Sequence, residues 1–269
     1  MSEKQFRQHL LSWYDDNKRN LPWRDCDDPY KIWISEIMLQ QTRVDQATPY
    51  FHRFIDRFPT VQDLAEADQQ EVLKVWEGLG YYSRARNMHT AARRVVDEFD
   101  GKVPDSWDEI TSLKGIGPYT ASAVLSIAFG KPYAVVDGNV LRVLTRFFGI
   151  ENDIRSTKTK NQVQELADNL IHKARPGDFN QAVMELGATV CVPSNPACNE
   201  CPVNTNCTAF KTVKQDEIPY KSPAKKKPHH QIGVGIIQNK YDEVLYRTAS
   251  GRCHAGWTLG VSGRQTKGR

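Results

Sequence analysis

The sequence predicts an all-α fold over residues 1–213, followed by a short β piece. Three observations predict it. Apolar residues recur at helical spacing along that stretch, prolines punctuate it, and runs of alternating polarity are scarce before residue 230. The chain of 269 residues has 39% hydrophobic and 25% charged residues, an ordinary balance for a soluble globular protein. About 150 residues per domain makes two domains the prior. The best apolar stretch, Ala121 to Gly130, is half the roughly 20 residues that a bilayer requires. The N-terminus lacks the apolar core of a signal peptide. These features exclude a helical membrane protein and lead to an expected cytoplasmic location (nucleoid-associated in a bacterial host).

The first clear helix starts at Tyr30. Tyr30, Trp33, Ile34, Ile37, Met38 and Gln41 fall on one face at helical spacing. Pro22, Pro29, Pro49, Pro59 and Pro104 separate the early elements. Glu36 flanks the apolar stripe and shares a side with Gln40. A carboxyl at such an edge can have a raised pKa and act as an acid, although a solvated glutamate is the plainer reading.

Next comes Leu113-Lys114-Gly115-Ile116-Gly117-Pro118-Tyr119-Thr120-Ala121, a turn between two helices spanning about 112–120. Gly115 and Gly117 let backbone amides approach an anion, and the following helix adds its N-terminal dipole. A nucleic-acid phosphate fits such a site, as does a plain helix–helix turn. Asp137 then stands ahead of an apolar helix in Val135-Val136-Asp137-Gly138-Asn139-Val140. An N-cap is its simplest role.

Six cysteines are present. Four of them, Cys191, Cys198, Cys201 and Cys207, fall within seventeen residues at spacings of six, two and five intervening residues. One tight cluster without an export signal indicates a metal site in a reducing compartment. Four thiolates suit either zinc or a cubane iron–sulfur cluster. The single Cys-x2-Cys knuckle differs from the usual zinc ribbon, which has two.

Residues 214–230 carry Lys225 to Lys227, three prolines and two histidines, and read as a basic, solvated linker. Charge is uneven along the chain. Net charge is +4, yet residues 221–269 hold ten Lys and Arg against two acidic residues. The preceding 220 hold 26 against 30. Any nucleic-acid binding by the main body must therefore use local features. Residues 232–237 and 244–246 read as a β-hairpin. The 39 residues from 231 to 269 are too few for a lone domain.

Together these segments resemble the helix-hairpin-helix DNA glycosylase superfamily, in its iron–sulfur branch. More narrowly, the chain is similar to the A/G-specific adenine DNA glycosylases of the MutY type. The likeness covers roughly residues 5–213. It is carried by Leu21-Pro22-Trp23-Arg24, by 33–44, by Gly78-Leu79-Gly80-Tyr81-Tyr82-Ser83-Arg84-Ala85-Arg86-Asn87 and by 136–140. The resemblance implies two helical lobes with a [4Fe-4S] cluster on the four cysteines in the 191–207 loop. It implies a monomer that acts on double-stranded DNA holding adenine opposite 8-oxoguanine or guanine, with no membrane partner. Glu36 would protonate the adenine and later activate water, and Asp137 would stabilise the oxocarbenium-like sugar. Tyr119 would orient that sugar. Leu21, Trp23 and Arg24 would line the adenine pocket, and Gln41 and Tyr81 would wedge into the duplex.

Tyr119 stands where related endonuclease III enzymes carry a nucleophilic lysine. It supplies no amine, so the expected enzyme is monofunctional and leaves an abasic site. A bifunctional glycosylase and a non-catalytic DNA-binding protein are the alternatives.

Two departures are expected to matter. Residues 192–197 hold no Lys or Arg, where the family commonly sets basic residues against phosphate. The family also continues into a Nudix-like domain with a segment like Leu-Ala-Gly-Leu-Trp-Glu-Phe-Pro-Gly-Gly-Lys. Here Gly256-Trp257-Thr258-Leu259-Gly260-Val261-Ser262-Gly263-Arg264-Gln265 follows instead. A shifted reading frame converts codons for the first peptide into the second. Residues 231–269 are therefore expected to be a truncated Nudix-like domain whose tail, from near residues 250–256, is frameshifted.

Overall fold

Helix follows helix, and a side-chain cap or a proline marks most of the starts among the described residues. The structure is a computed structural model that describes residues 3–24 and 26–223. Among the described residues there are α-helices and short 3-10 turns and no strand. The α-helices are α1 (Glu3–Asn17), α2 (Pro29–Leu39), α3 (Val44–Arg57), α4 (Val61–Glu66), α5 (Gln69–Val75), α6 (Ser83–Glu98), α7 (Trp107–Ser112), α8 (Pro118–Ile127), α9 (Gly138–Phe148), α10 (Thr157–Leu170), α11 (Pro176–Thr189) and α12 (Thr208–Lys211). None of them is long and apolar enough to cross a membrane.

Capping sets the boundaries. Asp28 accepts a hydrogen bond from the Tyr30 amide while Pro29 occupies the first turn of α2. Thr60 and Asp63 form a reciprocal capping box on α4. Asp137 caps α9, and Gly149 ends that helix in the left-handed conformation.

Two apolar cores define two lobes. The first is built from a continuous stretch, Trp23 to Leu125, and gathers Trp33, Phe54, Trp76, Met88 and Val124. The second joins the start of the chain to its later part. Phe6, Leu10 and Tyr14 of α1 pack with Val143, Val163, Phe179 and Leu186. Helix α2 is buried on nearly every side, as a central helix of a large core should be.

The lobes are linked through residues 128–137. Asn180 of α11, itself buried, satisfies this crossing segment. It accepts from the Val135 amide at 3.1 Å and donates to the Tyr133 carbonyl and to Ser126 Oγ, both at 2.8 Å. Helix α11 also approaches both lobes closely. A Cβ on Gly177 would lie 2.7 Å from Ile127 Cα, and one on Gly187 would lie 2.6 Å from Asn139 Cβ.

Two sequence expectations change here. The helical stripe from Tyr30 ends at Leu39, so Gln41 is not on α2 but in the turn beyond it, with φ 59°. Gln40 has already left helical geometry at the C-cap. The linker also starts later than residue 214, because the compact helical unit extends to Ser222. Ile218 is buried and its carbonyl accepts from Arg146, while the Ile154 amide donates to the Tyr220 carbonyl. Composition marked 214–222 as solvated, but one apolar anchor and backbone pairing hold the segment down. The expected β-hairpin and the rest of 231–269 lie outside the described residues.

Candidate active site

A cleft of about 660 Å³ opens between the lobes, within the usual range for a small-molecule site. Helix α2 brings Glu36 into it, the start of α8 brings Tyr119, and the N-cap of α9 brings Asp137. Leu21, Trp23 and Arg24 line it as well. Six of the residues singled out from sequence thus converge from segments about 20 to 100 positions apart.

Glu36 is only 6% exposed. Burial pushes its carboxyl up to about 7, a hydrogen bond with Tyr119 opposes this, and the nearby charge of Asp137 adds to it. Its Oε2 is buried and has no hydrogen-bond partner. The plain reading of Glu36 as a solvated glutamate does not hold. It sits in the apolar interior, not at the stripe's edge, because α2 is enclosed on nearly all sides.

Asp137 is both an N-cap and a cleft residue. Its Oδ1 accepts from the Val140 amide at 2.7 Å and its Oδ2 from Asn139 Nδ2 at 2.8 Å. Burial raises its carboxyl above the ordinary value, while these donors and the Arg142 charge pull it down. Burial therefore raises both carboxyls, but Asp137 holds more donors to support its anion. Tyr119 is pushed well up by burial and by the two carboxylates, so it stays a neutral hydroxyl.

Sequence reading missed Glu185 and Arg19. Glu185 is 1% exposed and lines the cleft. Arg19 grips it through two nitrogens at 2.7 and 2.9 Å, and Arg24 Nη2 donates at 2.5 Å. Burial alone would raise this carboxyl, but the hydrogen bonds from Arg19 and Arg24 hold it at about 2. The available signal was a lone acid in the apolar run Ala182-Val183-Met184-Glu185-Leu186.

The other expected site residues do not line the cleft. Gly115 and Gly117 form the turn between α7 and α8 as expected. Gly115 has φ 88°, and a Cβ there would meet Asn87 Cβ at 2.9 Å, so the turn sits tightly on α6. Gly117 caps α8 without a side chain, which leaves that helix start uncapped by any side-chain acceptor. Tyr81 is 61% exposed with φ 47°, so it is not a core residue.

The four cysteines follow α11. Cys198 lies in one 3-10 turn, and Cys207 follows another and caps α12. Cys191, Cys198, Cys201 and Cys207 act on one another electrostatically, and burial pushes the Cys201 thiol up to about 12. Arg146 donates to Cys191 Sγ at 3.4 Å and to the carbonyls of Val192 and Pro193. Among the described residues no three His, Cys, Asp or Glu converge on the position of a single metal ion.

The glycine turn and the two buried carboxyls of the cleft lie within one helical stretch of the chain. The model of the HhH-GPD superfamily base excision DNA repair protein matches residues 34–171, which include Glu36, the hairpin and Asp137. The chain belongs to this superfamily. It is similar to the adenine DNA glycosylase of Homo sapiens, with 49% identity over 258 residues, 93% of this chain and 45% of that protein. It is 38% identical to the adenine DNA glycosylase of Buchnera aphidicola (subspecies Acyrthosiphon pisum), covering 89% of this chain and 69% of that one. A thermostable thymine-DNA glycosylase superposes with a TM-score of 0.70 at 30% identity, over 78% of this chain and 97% of that one. An endonuclease III trapped on DNA shares the fold, with a TM-score of 0.64 at 23% identity over 79% of this chain and 99% of that one. The chain spans a little under half the length of the human relative.

Proposed function

We propose that the chain is a monofunctional adenine DNA glycosylase. It hydrolyses the N-glycosidic bond of adenine opposite 8-oxoguanine or guanine in double-stranded DNA, acts as a monomer in the cytoplasm, and leaves an abasic site. The observation that carries this is Glu36, a buried carboxyl near pH 7 with an unpartnered oxygen, in one cleft with Asp137.

The adenine must leave the base stack to reach that cleft. Protonated Glu36 donates its proton to the adenine ring, and the glycosidic electron pair departs with the base. Asp137, held by Val140 and Asn139, faces the positive charge developing on the sugar. Glu36, now a carboxylate, accepts the proton of the water that adds to the sugar carbon. Tyr119 lines the cleft with Glu36, orients the sugar and offers no amine for a strand-cleaving imine. Leu21, Trp23 and Arg24 surround the extruded base. Gln41 and Tyr81 enter the duplex beside its former partner, and the Gly115–Gly117 turn holds a backbone phosphate.

The donor set of Cys191, Cys198, Cys201 and Cys207 fits a [4Fe-4S] cluster. Four mutually interacting thiols in one loop are the donor type and number that such a cluster takes. When bound, the cluster supplies a covalent brace for the 191–207 loop. Arg146 would orient that loop through its bonds to Cys191, Val192 and Pro193. With no Lys or Arg in 192–197, this loop adds little positive charge against phosphate. We further read 231–247 as the start of a Nudix-like domain and the residues from near 250–256 onward as a frameshifted reading of it, which the coding DNA tests.

Single-turnover release from a duplex with adenine opposite 8-oxoguanine tests the activity. Strand breaks only after alkali are expected. Intact duplex binding without release would make the chain a DNA-binding protein, and breaks without alkali would make it a lyase. A duplex with thymine in place of the adenine, run in parallel, tests the base named for the 30%-identical structural neighbour.

A further inference from the structure

Gln41 and Tyr81 share an uncommon backbone state, with φ values of 59° and 47°. Residues other than glycine rarely adopt this left-handed region, and the strain persists only where surroundings enforce it. Here one side chain bonds to both turns, beside local backbone bonds and the Trp76 Nε1 bond to the Gly80 carbonyl. Arg84, in the first turn of α6, is 8% exposed. Its Nη1 donates to the carbonyls of Ile37, Met38 and Gln40 at 3.0, 2.9 and 2.6 Å, and to Thr42 Oγ1 at 3.3 Å. Its Nη2 donates to the carbonyls of Leu79 and Gly80 at 3.3 and 3.2 Å.

One guanidinium therefore bridges the turn that carries Gln41 and the turn that carries Tyr81. It also lies 5.3 Å from the Trp76 ring and 5.5 Å from the Tyr81 ring. Three of its acceptors are carbonyls at the C-terminal end of α2, which no helical amide can satisfy and where the dipole favours a cation. The planar fork is what spans both turns, since a lysine ammonium is a single point. Arg84 does not line the cleft.

We propose that Arg84 is a positioning residue that couples the two turns into one rigid wedge, so that Gln41 and Tyr81 meet the duplex already oriented to displace a base. This rests on the adenine glycosylase reading. Such preorganisation lowers the cost of ordering two loops at the moment of binding. Arg84 acts through its two neighbours and touches neither the base nor the sugar.

The test compares release of adenine from the mispaired duplex with release from an unpaired bubble, where the base is already unstacked. The variants are Arg84→Lys, Arg84→Met, Tyr81→Ala and the Tyr81→Ala/Arg84→Met pair. Arg84→Met is expected to slow release from the paired duplex by about 10- to 100-fold, the loss set by charge-assisted hydrogen bonds, and to leave the bubble rate unchanged. Arg84→Lys should fall between, and Arg84→Met should slow the Tyr81→Ala chain by a smaller factor than it slows the parent, because only the Gln41 turn is left to disorder. Equal losses on both substrates would assign Arg84 a general structural role and overturn the proposal, as would an unchanged paired rate. If Arg84→Met does not fold, Arg84→Lys decides by the same ratio. Should the parent chain release no adenine from the bubble or from either substrate, fluorescence of 2-aminopurine beside the mispair decides. A smaller rise on saturating binding by the variants supports the wedge, and an equal rise refutes it. An adenine reading that fails is thus told apart from a wedge that fails.

Discussion

Glu36 binds its proton more tightly in the folded chain than in the unfolded one. Its value moves from 4.5 to about 7, so folding favours the neutral acid. Stability from this group is intact below about pH 4.5 and is lost as pH rises through about 7. Complete ionisation costs about 3 kcal/mol, because each tenfold change in proton affinity is worth about 1.4 kcal/mol. Glu36→Gln removes the ionisation. In urea unfolding the variant should gain on the parent by about that amount at pH 8 compared with pH 4.5, and the same difference at both pH values would contradict burial as the cause. Catalysis follows the same proton. In the parent, kcat/KM for base release should fall as pH rises through about 7, because the acid form of the free enzyme disappears. Glu36→Gln should lose base release while still binding duplex. A flat profile between pH 6 and 8 would assign the proton to another group.

At the scale of elements, α11 is the strut on which the cleft is built. It carries Glu185 and Asn180, and it meets α8 and α9 at Gly177 and Gly187. Alanine is usually the better helix former by about 1 kcal/mol. At Gly177 the added carbon would lie 2.7 Å from both Ile127 Cα and Ser126 O, which are backbone atoms that cannot swing away. The clash should therefore win, and Gly177→Ala should lower stability by about 1–3 kcal/mol, as overpacking does. Thermal unfolding checks the sign, and a higher Tm would show that α11 shifts freely. The element scale also shows what single residues conceal in a sequence. Asp137 read as an N-cap and is one, yet its second role depends on α2 and α8 arriving beside it. Glu185 was legible only as an oddity in an apolar run, because its partners Arg19 and Arg24 lie more than 160 positions away.

Across the whole molecule, helix type and order were legible because periodicity and punctuation are local. The hairpin at Gly115–Gly117 and the cysteine loop came from motif spacing, and the cleft residues from the family resemblance. The end of α2 was missed, because Gln41 continues the apolar period while the backbone has already turned. The attachment of 214–222 was missed because its composition is that of a linker. The cysteine loop now links element to whole. Cys198→Ser should abolish the brown absorbance expected of an iron–sulfur protein and reduce bound iron, and an unchanged spectrum would mean a wrong ligand set. The division into two cores has a consequence for how the chain is made. Residues 23–125 contain every residue of the first core, so that lobe is self-sufficient once it has been synthesised. Helix α1 emerges before the first lobe, but the residues that bury Phe6 and Leu10 come from 134–203. That helix must therefore wait, apolar face open, until most of the helical unit exists. In pulse-labelled hydrogen exchange during refolding, amides of α2 and α8 should gain protection before those of α1, since the long loop that α1 closes makes it the late-docking element.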